Sequence, residues 1–333
     1  SLKKMKKILI LGSNSFSGSH LSNFLISKKF KVYGISQSKL YPKRFNVFSN
    51  SNLNKYFNFY KLDINKDFKK IEKLILKIKP KIIIDFLGQG MVAESWMYPE
   101  LTFNSNLIGK IRLYEMLRKS KFLKKYIKIS TPEVFGSATI KKANSIKYNP
   151  STPYALSHST VENYLRLLNR QFNFPVIISR FANFYGPYQK LYRVIPLAIH
   201  KAFTKEKFYL HGGGISRRSF IYSDDFCAGI YKMITNGKIG EFYQFSSQEY
   251  LSIKTVVSKI YKKFGLKPEE FIINVTDRPG KDKDYKIYDR QTKNKLKWNN
   301  KVTLDKGIDN IIKWYMKHFK EFEKKDTKFV IKK

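Results

Sequence analysis

Residues 8–21 read ILILGSNSFSGSHL, an apolar run followed by a turn with two glycines and the beginning of a helix-like stretch. The apolar run is typical of a buried strand, and Gly12 and Gly18 allow the backbone to turn tightly into a helix. Backbone amides at the start of such a helix, together with the helix dipole, bind phosphate groups. The pattern therefore predicts a strand, a glycine turn and a helix that together receive a dinucleotide.

Strand-length apolar runs alternate with helix-period stretches through the first half of the chain. The predicted strands are residues 8–11, 30–35, 82–87, 126–129 and 176–180. This alternation predicts an α/β fold, a Rossmann-like doubly wound parallel sheet that binds ligands beyond the carboxyl ends of its strands. Shorter elements after Gly186 predict a smaller, mixed α/β C-terminal substrate lobe. We expect a dinucleotide-binding domain over residues 1–186 and a second lobe over residues 187–333, interleaved in space.

The composition indicates a globular protein with an unusual charge. The chain has 333 residues, 42% of them hydrophobic, and a formal net charge of +40. Such a charge attracts polyanions, but the lysines are scattered along the whole chain and no nucleic-acid motif accompanies them, so we do not expect nucleic-acid binding. The apolar run at residues 8–11 is too short for a signal peptide or a membrane span. We therefore expect a cytoplasmic protein without membrane contact.

The only cysteine, Cys227, permits no internal disulfide. It has no metal ligands at a suitable spacing, and a single buried cysteine usually acts as a small packing residue. The sequence therefore predicts no metal site.

A second informative region lies between residues 130 and 158, where the sequence reads STPEVFG at 130–136 and YALSH at 154–158. Oxidation of an alcohol requires a base for the hydroxyl proton while a hydride leaves for a nicotinamide, and a tyrosinate beside a cation can be that base. Tyr154 is the candidate base. Thr131 is a candidate hydrogen-bond partner for the same oxygen, and Glu133 can remove a proton made acidic by the new ketone.

With these motifs in place, the sequence resembles the extended short-chain dehydrogenase/reductases of the NAD-dependent epimerase/dehydratase family, most of all the nucleotide-sugar 4,6-dehydratases typified by dTDP-glucose 4,6-dehydratase. The resemblance covers nearly the whole chain, and its elements occur in order. They are residues 12–18 (GSNSFSG), 106–109 (NLIG), 130–136 (STPEVFG), 154–158 (YALSH), 180–187 (RFANFYGP), 217–225 (RRSFIYSDD) and 277–280 (DRPG).

The resemblance implies a bound nicotinamide cofactor. The implied cofactor-binding residues are Gly12, Asn14, Ser15, Phe16, Gly18, Ser36, Asp63, Ile64, Leu87, Gly88, Gln89, Tyr154 and His158. Ser15 replaces the middle glycine of the family's turn. The second strand ends without the acidic residue that would bind the ribose hydroxyls of NAD, and Lys39, Lys43 and Arg44 are candidate partners for the extra phosphate of NADP. The choice between NAD and NADP stays open at this point.

The resemblance also implies catalytic roles for Thr131, Glu133, Tyr154 and His158. His158 occupies the position of the family's lysine, which lowers the tyrosine pKa and hydrogen-bonds the nicotinamide ribose. Histidine titrates near neutrality, so we expect His158 to supply a cation part of the time. Pro132 stands where the resembling dehydratases carry an aspartic acid, and proline has no proton to donate. A water molecule, Glu133 itself or another residue must then provide the acid.

On the substrate side, the resemblance implies an NAD(P)-binding domain at residues 1–186 and binding of a nucleoside-diphosphate sugar mainly by the lobe at residues 187–333. Guanidinium groups bind two phosphate oxygens each. The candidate substrate-binding residues are Asn183, Arg193, Arg218 and Arg278. The resembling enzymes also pair through the helix that carries the Tyr154 position, so we expect a homodimer.

Three functions remain open on the sequence alone. Glu133 favours a 4,6-dehydratase, which oxidises C4 of the sugar, removes water across C5 and C6 and returns hydride to C6. Pro132 favours a 4-epimerase or a C4-oxidising decarboxylase of the same fold, because neither needs an acid at that position. The residues His158 and Ser15, with the +40 charge, are compatible with a non-catalytic nucleotide or polyanion binder.

Overall fold

The computed structural model describes residues 6–47, 54–277 and 284–328. Its strands are β1 (Lys6–Leu11), β2 (Phe30–Ser36), β3 (Phe57–Lys61), β4 (Ile82–Asp85), β5 (Lys125–Ser130), β6 (Thr139–Ile140), β7 (Val176–Phe181), β8 (Asn183–Tyr185), β9 (Phe208–His211), β10 (Arg217–Tyr222), β11 (Phe242–Phe245), β12 (Tyr250–Ser252), β13 (Ile272–Val275) and β14 (Lys286–Ile287). Its helices are α1 (Phe16–Ser27), α2 (Phe68–Ile78), α3 (Glu94–Met97), α4 (Pro99–Phe103), α5 (Gly109–Arg118), α6 (Pro153–Phe172), α7 (Val194–Phe203), α8 (Ser223–Asn236), α9 (Ile253–Lys263), α10 (Pro268–Phe271), α11 (Arg290–Leu296) and α12 (Leu304–His318), with a π-helical turn at Asn104–Ile108 before α5.

The main sheet has seven strands in the order β11-β7-β5-β4-β1-β2-β3. Every pair in it is parallel. The order reverses beside β1, where Leu11 lies opposite both Ile35 of β2 and Asp85 of β4. In a doubly wound sheet this reversal opens a crevice at the carboxyl ends of the strands. The predicted fold class is confirmed.

Helices cover both faces of the sheet because the strands are apolar on both faces. On one face, α1 and α8 pack against alternate residues of β1 such as Ile8 and Ile10. On the other face, α2, α5 and α6 pack against Leu9 and Leu11. Cys227 of α8 is buried in the first of these clusters. In the part of the chain that the structure describes, no helix is both long enough and apolar enough to cross a bilayer.

The later part of the chain forms a second apolar core between α7, α9 and α12, whose members include Ile199, Val257 and Ile311. Its small sheets include β12-β10-β8, in which β10 runs parallel to β8. The boundary at residue 186 stays a prediction. Helix α8 and strand β11, both from beyond residue 186, belong to the main sheet and its covering layer.

Candidate active site

The glycine turn joins β1 to α1 at the carboxyl edge of the sheet. Gly12 has a φ of +80°, and its amide donates to the carbonyl oxygen of Ile35 at 2.8 Å. A Cβ at Gly18 would lie 2.3 Å from the carbonyl oxygen of Gly12, so only glycine fits this close approach. Ser15 caps α1, because its Oγ accepts from the Gly18 amide at 3.0 Å. The first amides of a helix have no partner inside the helix, and those of α1, beginning at Phe16, lie at this edge.

Asn14 and Ser36 connect the glycine turn to the end of β2. The Asn14 amide donates to Ser36 Oγ at 2.9 Å, and Asn14 Nδ2 donates to Ser38 Oγ at 2.9 Å and to the Lys39 carbonyl oxygen at 2.7 Å. The two predicted cofactor residues therefore hold the loop after β2 against the turn. At the end of β2 the side chain is a neutral hydroxyl.

Arg44, a candidate for binding an NADP phosphate, has acidic partners within the protein. Its Nε donates to Asp326 Oδ2 and its Nη2 to Glu323 Oε1, each at 2.9 Å. These pairs fasten the loop after β2 to the C-terminal segment. The structure therefore gives Arg44 a role in joining two segments of the protein.

Asp63 and Ile64 lie just beyond β3, at the same edge of the sheet. Asp63 Oδ1 accepts from the Asn65 amide at 2.7 Å and so closes the turn. The side chain of Ile64 is buried in the core beside Leu9 and Ile35. Both side chains thus contact other residues of the protein, and both lie next to the predicted cofactor crevice.

The segment Leu87, Gly88 and Gln89 follows β4 and is held by one buried asparagine. Asn106 Oδ1 accepts from the Gln89 amide at 2.7 Å, and Asn106 Nδ2 donates to the Gln89 carbonyl oxygen at 3.1 Å. The same Nδ2 donates to Ser157 Oγ of α6 at 3.2 Å. Asn106 therefore fixes this predicted cofactor loop relative to the helix that carries Tyr154.

Thr131, Glu133 and Tyr154 meet at the carboxyl end of β5. The Thr131 hydroxyl is hydrogen-bonded to the Tyr154 phenol, and Thr131 Oγ1 also accepts from the Glu133 amide at 3.2 Å. Burial raises the pKa of Tyr154 above its usual range, and the Glu133 carboxylate raises it further. The Thr131 hydrogen bond and the charge of Arg193 lower the same pKa. The structure brings together these predicted residues and adds Arg193 to their surroundings.

Local sequence explains how these side chains are held. Thr152 caps α6, because its Oγ1 accepts from the Ala155 amide at 3.1 Å, and Pro153 is the first helical residue, where proline is favoured. Thr131 caps a short 3₁₀ turn that begins at Pro132 and carries Glu133. Pro132 therefore serves to begin this turn, and its side chain carries no proton that it could donate.

His158 lies one helical turn after Tyr154, and the centroids of the two rings are 4.6 Å apart. Its side chain is buried, with 9% of the residue exposed. Burial lowers the pKa of His158 well below its usual range, and the charges of Lys128 and Lys110 lower it further, against a smaller opposing effect of Asp85. A lowered pKa favours the neutral imidazole near pH 7, contrary to the expectation that His158 supplies a cation part of the time.

A buried ionic cluster lies beside His158, and the sequence analysis did not find it. Asp85, at the end of β4, is 0% exposed, and Lys110 and Lys128 are each 1% exposed. Lys110 Nζ lies 2.8 Å and Lys128 Nζ 3.5 Å from Asp85 Oδ2. Although burial opposes it, the two lysines hold the pKa of Asp85 well below its usual range. Two amines share one carboxylate at this edge of the sheet.

We expect Asp85→Asn to lower the free energy of unfolding by about 3–5 kcal/mol, because it leaves buried ammonium groups without the carboxylate that they share. Urea denaturation at pH 7 measures the loss. Asp67→Asn is the matched control, since Asp67 forms an exposed pair with Lys70 at 2.8 Å and such pairs contribute little. Equal losses in the two variants would show that the buried cluster does not depend on Asp85.

The predicted substrate residues are partly brought together. Asn183 Oδ1 accepts from the Tyr285 hydroxyl at 2.6 Å, and the Arg218 guanidinium carbon lies 4.2 Å from the centroid of the Tyr285 ring. Tyr285 thus joins two predicted residues, and sequence reasoning did not find it. Arg193 is exposed at the start of α7, where its charge acts on Tyr154. Arg278 lies outside the described residues.

Comparison with known proteins shows the family to which the chain belongs. The family model described as GDP-mannose 4,6 dehydratase matches residues 9–311. The chain belongs to the GDP-mannose 4,6-dehydratase family. Among the relatives of this chain, the dTDP-glucose 4,6-dehydratase of Xanthomonas campestris pv. campestris is 26% identical to it over 328 residues, which cover 92% of each protein.

Solved structures extend the comparison. The dTDP-glucose 4,6-dehydratase of Bacillus anthracis in complex with NAD is 26% identical with a TM-score of 0.83, over 95% of this chain and 98% of that one. The corresponding enzyme of Streptomyces venezuelae, solved with NAD bound, has a TM-score of 0.86 at 22% identity, over 95% and 99% of the two chains, and supports the fold. In this member of the GDP-mannose 4,6-dehydratase family, His158 and Pro132 stand where the resemblance described under Sequence analysis implied a lysine and an aspartate.

Proposed function

We propose that the protein is a nucleotide-sugar 4,6-dehydratase, which converts a nucleoside-diphosphate hexose to the 4-keto-6-deoxy sugar. The observation that carries this proposal is the grouping of Thr131, Glu133 and Tyr154 at the carboxyl end of β5, where the Thr131 hydroxyl is bonded to both the Tyr154 phenol and the Glu133 amide. A base for the hydroxyl proton and a second base for a carbon acid then act on one bound sugar. Membership of the family and the names of the relatives agree with this assignment.

We propose NAD as the cofactor. The glycine turn provides the cradle, and four of the polar atoms that are buried without partners within the described residues lie at the carboxyl ends of β1, β4 and β5 and on α6. These atoms are Ser13 Oγ, Gln89 Nε2, Ser130 Oγ and His158 Nδ1. Buried polar groups are rarely left unpaired, so a polar ligand fits here. The related enzyme from Bacillus anthracis was solved with NAD, and Arg44 is paired with acidic side chains instead of facing a ligand phosphate.

The proposed chemistry conserves atoms and regenerates the cofactor. The glycine turn and the segment Leu87, Gly88 and Gln89 would hold a nicotinamide cofactor, which would supply the hydride acceptor for C4 of the sugar and the hydride donor for C6. Tyr154 as phenolate takes the C4 hydroxyl proton, and Thr131 holds the same oxygen. The resulting ketone acidifies the C5 proton, which Glu133 removes; the C6 hydroxyl then leaves as water with a proton delivered by Glu133. A proton from solvent is added to C5 and the proton held by Tyr154 is released to solvent, so the net change is the loss of one water.

The diphosphate of the substrate needs cationic and hydrogen-bonding partners. Arg193, Arg218 and Asn183 are proposed for this role, together with Arg278. Arginine binds phosphate oxygens in pairs, which fixes both position and orientation. The stacking of Arg218 on Tyr285, whose hydroxyl bonds Asn183, holds two of these groups in one place.

One observation favours a second function, a 4-epimerase. Pro132 removes the side chain expected to protonate the leaving hydroxyl, whereas an epimerase needs only Tyr154 and the cofactor. The test is incubation with NAD and each of dTDP-glucose, UDP-glucose and GDP-mannose, followed by mass spectrometry. A product lighter by one water supports the dehydratase. An isomer of unchanged mass supports the epimerase, and no reaction with any sugar counts against both.

Gly18→Ala is expected to weaken NAD binding by at least about tenfold, because the added Cβ collides with the Gly12 carbonyl and opens the turn. Titration calorimetry with NAD measures the change. Ser27→Ala, in the last turn of the same helix, is the control and is expected to bind NAD as the unaltered protein does. Unchanged affinity in Gly18→Ala would show that the dinucleotide lies elsewhere.

We also propose that the protein forms a homodimer through α6. Leu156 and Leu167 lie on one face of this helix and are 46% and 42% exposed, and the exposed Ile108 belongs to a π-helical turn that contacts α6. Exposed apolar side chains grouped in this way are typical of an interaction surface. Sedimentation equilibrium tests the proposal, and a monomer at micromolar concentration would contradict it.

A further inference from the structure

The loop after β2, residues 37–47, borders the predicted cofactor crevice. In a doubly wound sheet, the end of the second strand lies beside the ribose of a bound dinucleotide. Asn14 of the glycine turn holds the first part of this loop, because its Nδ2 donates to the Lys39 carbonyl oxygen at 2.7 Å and its Oδ1 accepts from the Tyr41 amide at 3.2 Å. The position of the loop therefore helps to define the dinucleotide site.

The second part of the loop is held by residues near the end of the sequence. Arg44 binds Asp326 through two hydrogen bonds, from Nε to Oδ2 at 2.9 Å and from Nη2 to Oδ1 at 3.3 Å. The side chains of Arg44 and Asp326 are 15% and 10% exposed, so water screens their attraction only weakly. Paired bonds of this kind fix the orientation of a guanidinium as well as its position. The contact thus joins two segments that are 282 residues apart in the sequence.

Aromatic contacts attach the same loop to the second apolar core. Phe45 is 4% exposed and belongs to that core, where its ring centroid lies 5.7 Å from that of Phe322. Lys190, from the loop before α7, places its Nζ 3.6 Å from the ring centroid of Tyr41 and 3.8 Å from that of Phe45. The loop after β2 therefore begins against the glycine turn and ends in the core of the later part of the chain.

We propose that Asp326 is a positioning residue for the dinucleotide site. Through its paired bonds to Arg44 it fixes the loop after β2 against Asn14, and the fixed loop strengthens binding of a dinucleotide at the glycine turn. Asp326 acts on the ligand only through this loop. The inference rests on the proposed function, in which the glycine turn binds NAD.

The physical basis is the fraction of molecules in which the loop is in place. When only part of the protein holds its site in the binding form, the apparent Kd rises by the reciprocal of that fraction. Without the Asp326 carboxylate, Arg44 keeps its bond to Glu323, whose side chain is 50% exposed, and pairs with such exposed carboxylates contribute little. The loop is then expected to leave its position more often.

Asp326→Asn tests the proposal, because asparagine has nearly the same shape but lacks the charge and one of the two acceptor oxygens. Asp309→Asn is the matched control. It makes the same substitution in α12 and removes an ion pair with Lys263 at 2.8 Å. The side chain of Asp309 is 44% exposed, and both variants are expected to fold. Thermal denaturation establishes that each variant is folded.

The first readout needs neither substrate nor cofactor. Hydrogen exchange followed by mass spectrometry reports on peptides that cover residues 37–47, in which the amides of Phe45 and Asn46 donate to the carbonyl oxygens of Pro42 and Lys43 at 2.8 and 3.1 Å. We expect exchange to be about tenfold faster in Asp326→Asn and unchanged in Asp309→Asn. Equal exchange rates in the two variants would overturn the proposed role of Asp326.

The second readout is the affinity for NAD, measured by titration calorimetry. The Kd is expected to rise about tenfold in Asp326→Asn and to stay at its original value in Asp309→Asn. In turnover, the NAD concentration that gives half of the maximal rate should rise in the same way, while the rate at saturating NAD stays within about twofold. A folded Asp326→Asn that binds NAD as the unaltered protein does would overturn the inference.

A double-mutant cycle tests whether Asp326 acts through Arg44. Arg44→Gln is expected to weaken NAD binding at least as much as Asp326→Asn, and the combined variant is expected to bind NAD as Arg44→Gln does. Additive losses would show that the two residues act separately and would overturn the inference. If the unaltered protein binds no NAD, the proposed function fails instead, and hydrogen exchange still decides whether Asp326 holds the loop.

Discussion

Tyr154→Phe is expected to slow oxidation of the sugar by at least about a thousandfold while leaving NAD affinity within about twofold of the original. The substitution removes the phenol oxygen that takes the hydroxyl proton and keeps the ring that packs against His158 at 4.6 Å. Single-turnover absorbance of the reduced nicotinamide measures oxidation, and titration calorimetry measures NAD binding. The combination separates loss of chemistry from loss of the binding site.

Tyr148→Phe is the control for this prediction. The Tyr148 hydroxyl donates to Glu162 Oε2 at 2.7 Å, within a buried structural network that includes Arg180. Its removal is expected to affect stability and to leave the oxidation step close to its original rate. Normal turnover by Tyr154→Phe would show that another group is the base.

Glu133→Gln is expected to stop elimination while C4 oxidation continues. Glutamine keeps the shape of the side chain but cannot take the C5 proton, so formation of the dehydrated product should fall by about a hundredfold or more. Because the Glu133 carboxylate raises the pKa of Tyr154, its removal lowers that pKa, and the oxidation step should reach its maximum at a lower pH. We expect reduced nicotinamide to accumulate, together with an enzyme-bound 4-keto sugar that still carries its C6 hydroxyl.

Glu115→Gln controls for the loss of a carboxylate, since Glu115 pairs with Arg118 on the surface of α5 at 2.6 Å. That variant is expected to form product at the original rate. If Glu133→Gln also forms the dehydrated sugar at that rate, Glu133 is neither the base for C5 nor the donor to the leaving hydroxyl.

Much of the fold follows from local sequence patterns. The run ILIL ending at Gly12 predicted β1 and the glycine turn, since a buried parallel strand must be apolar on both faces. The predicted strand at 82–87 is shorter in the structure and ends at Asp85. Its carboxylate accepts from the Leu87 amide at 2.9 Å, so the chain turns where the apolar run continues. Hydrophobic periodicity does not predict a local hydrogen bond of this kind, so it could not predict where the strand ends.

The candidate site was predictable where its residues fall in short motifs, as Thr131, Glu133 and Tyr154 do. Asp85, Lys110 and Lys128 were not, because they lie on separate elements and meet only through the pairing of β4 with β5 and the packing of α5. In a chain with 65 lysines and arginines, no single lysine stands out by composition.

The state of His158 was also beyond the sequence. A histidine four residues after a helical tyrosine has an ordinary pKa if it faces solvent and a lowered one if it is buried beside cations. The position of the histidine in the motif is the same in both cases, so the motif alone does not predict its pKa. The structure decides between them by enclosing His158 next to Lys128 and Lys110.

The proposed dehydratase transfers hydrogen from C4 to C6 within one sugar. The most direct measurement uses a nucleoside-diphosphate hexose with deuterium at C4, turned over with NAD in ordinary water and followed by mass spectrometry and proton NMR. We expect a product lighter by one water that carries the deuterium on C6. Deuterium retained at C4 in a sugar of unchanged mass would contradict the dehydratase and identify an epimerase.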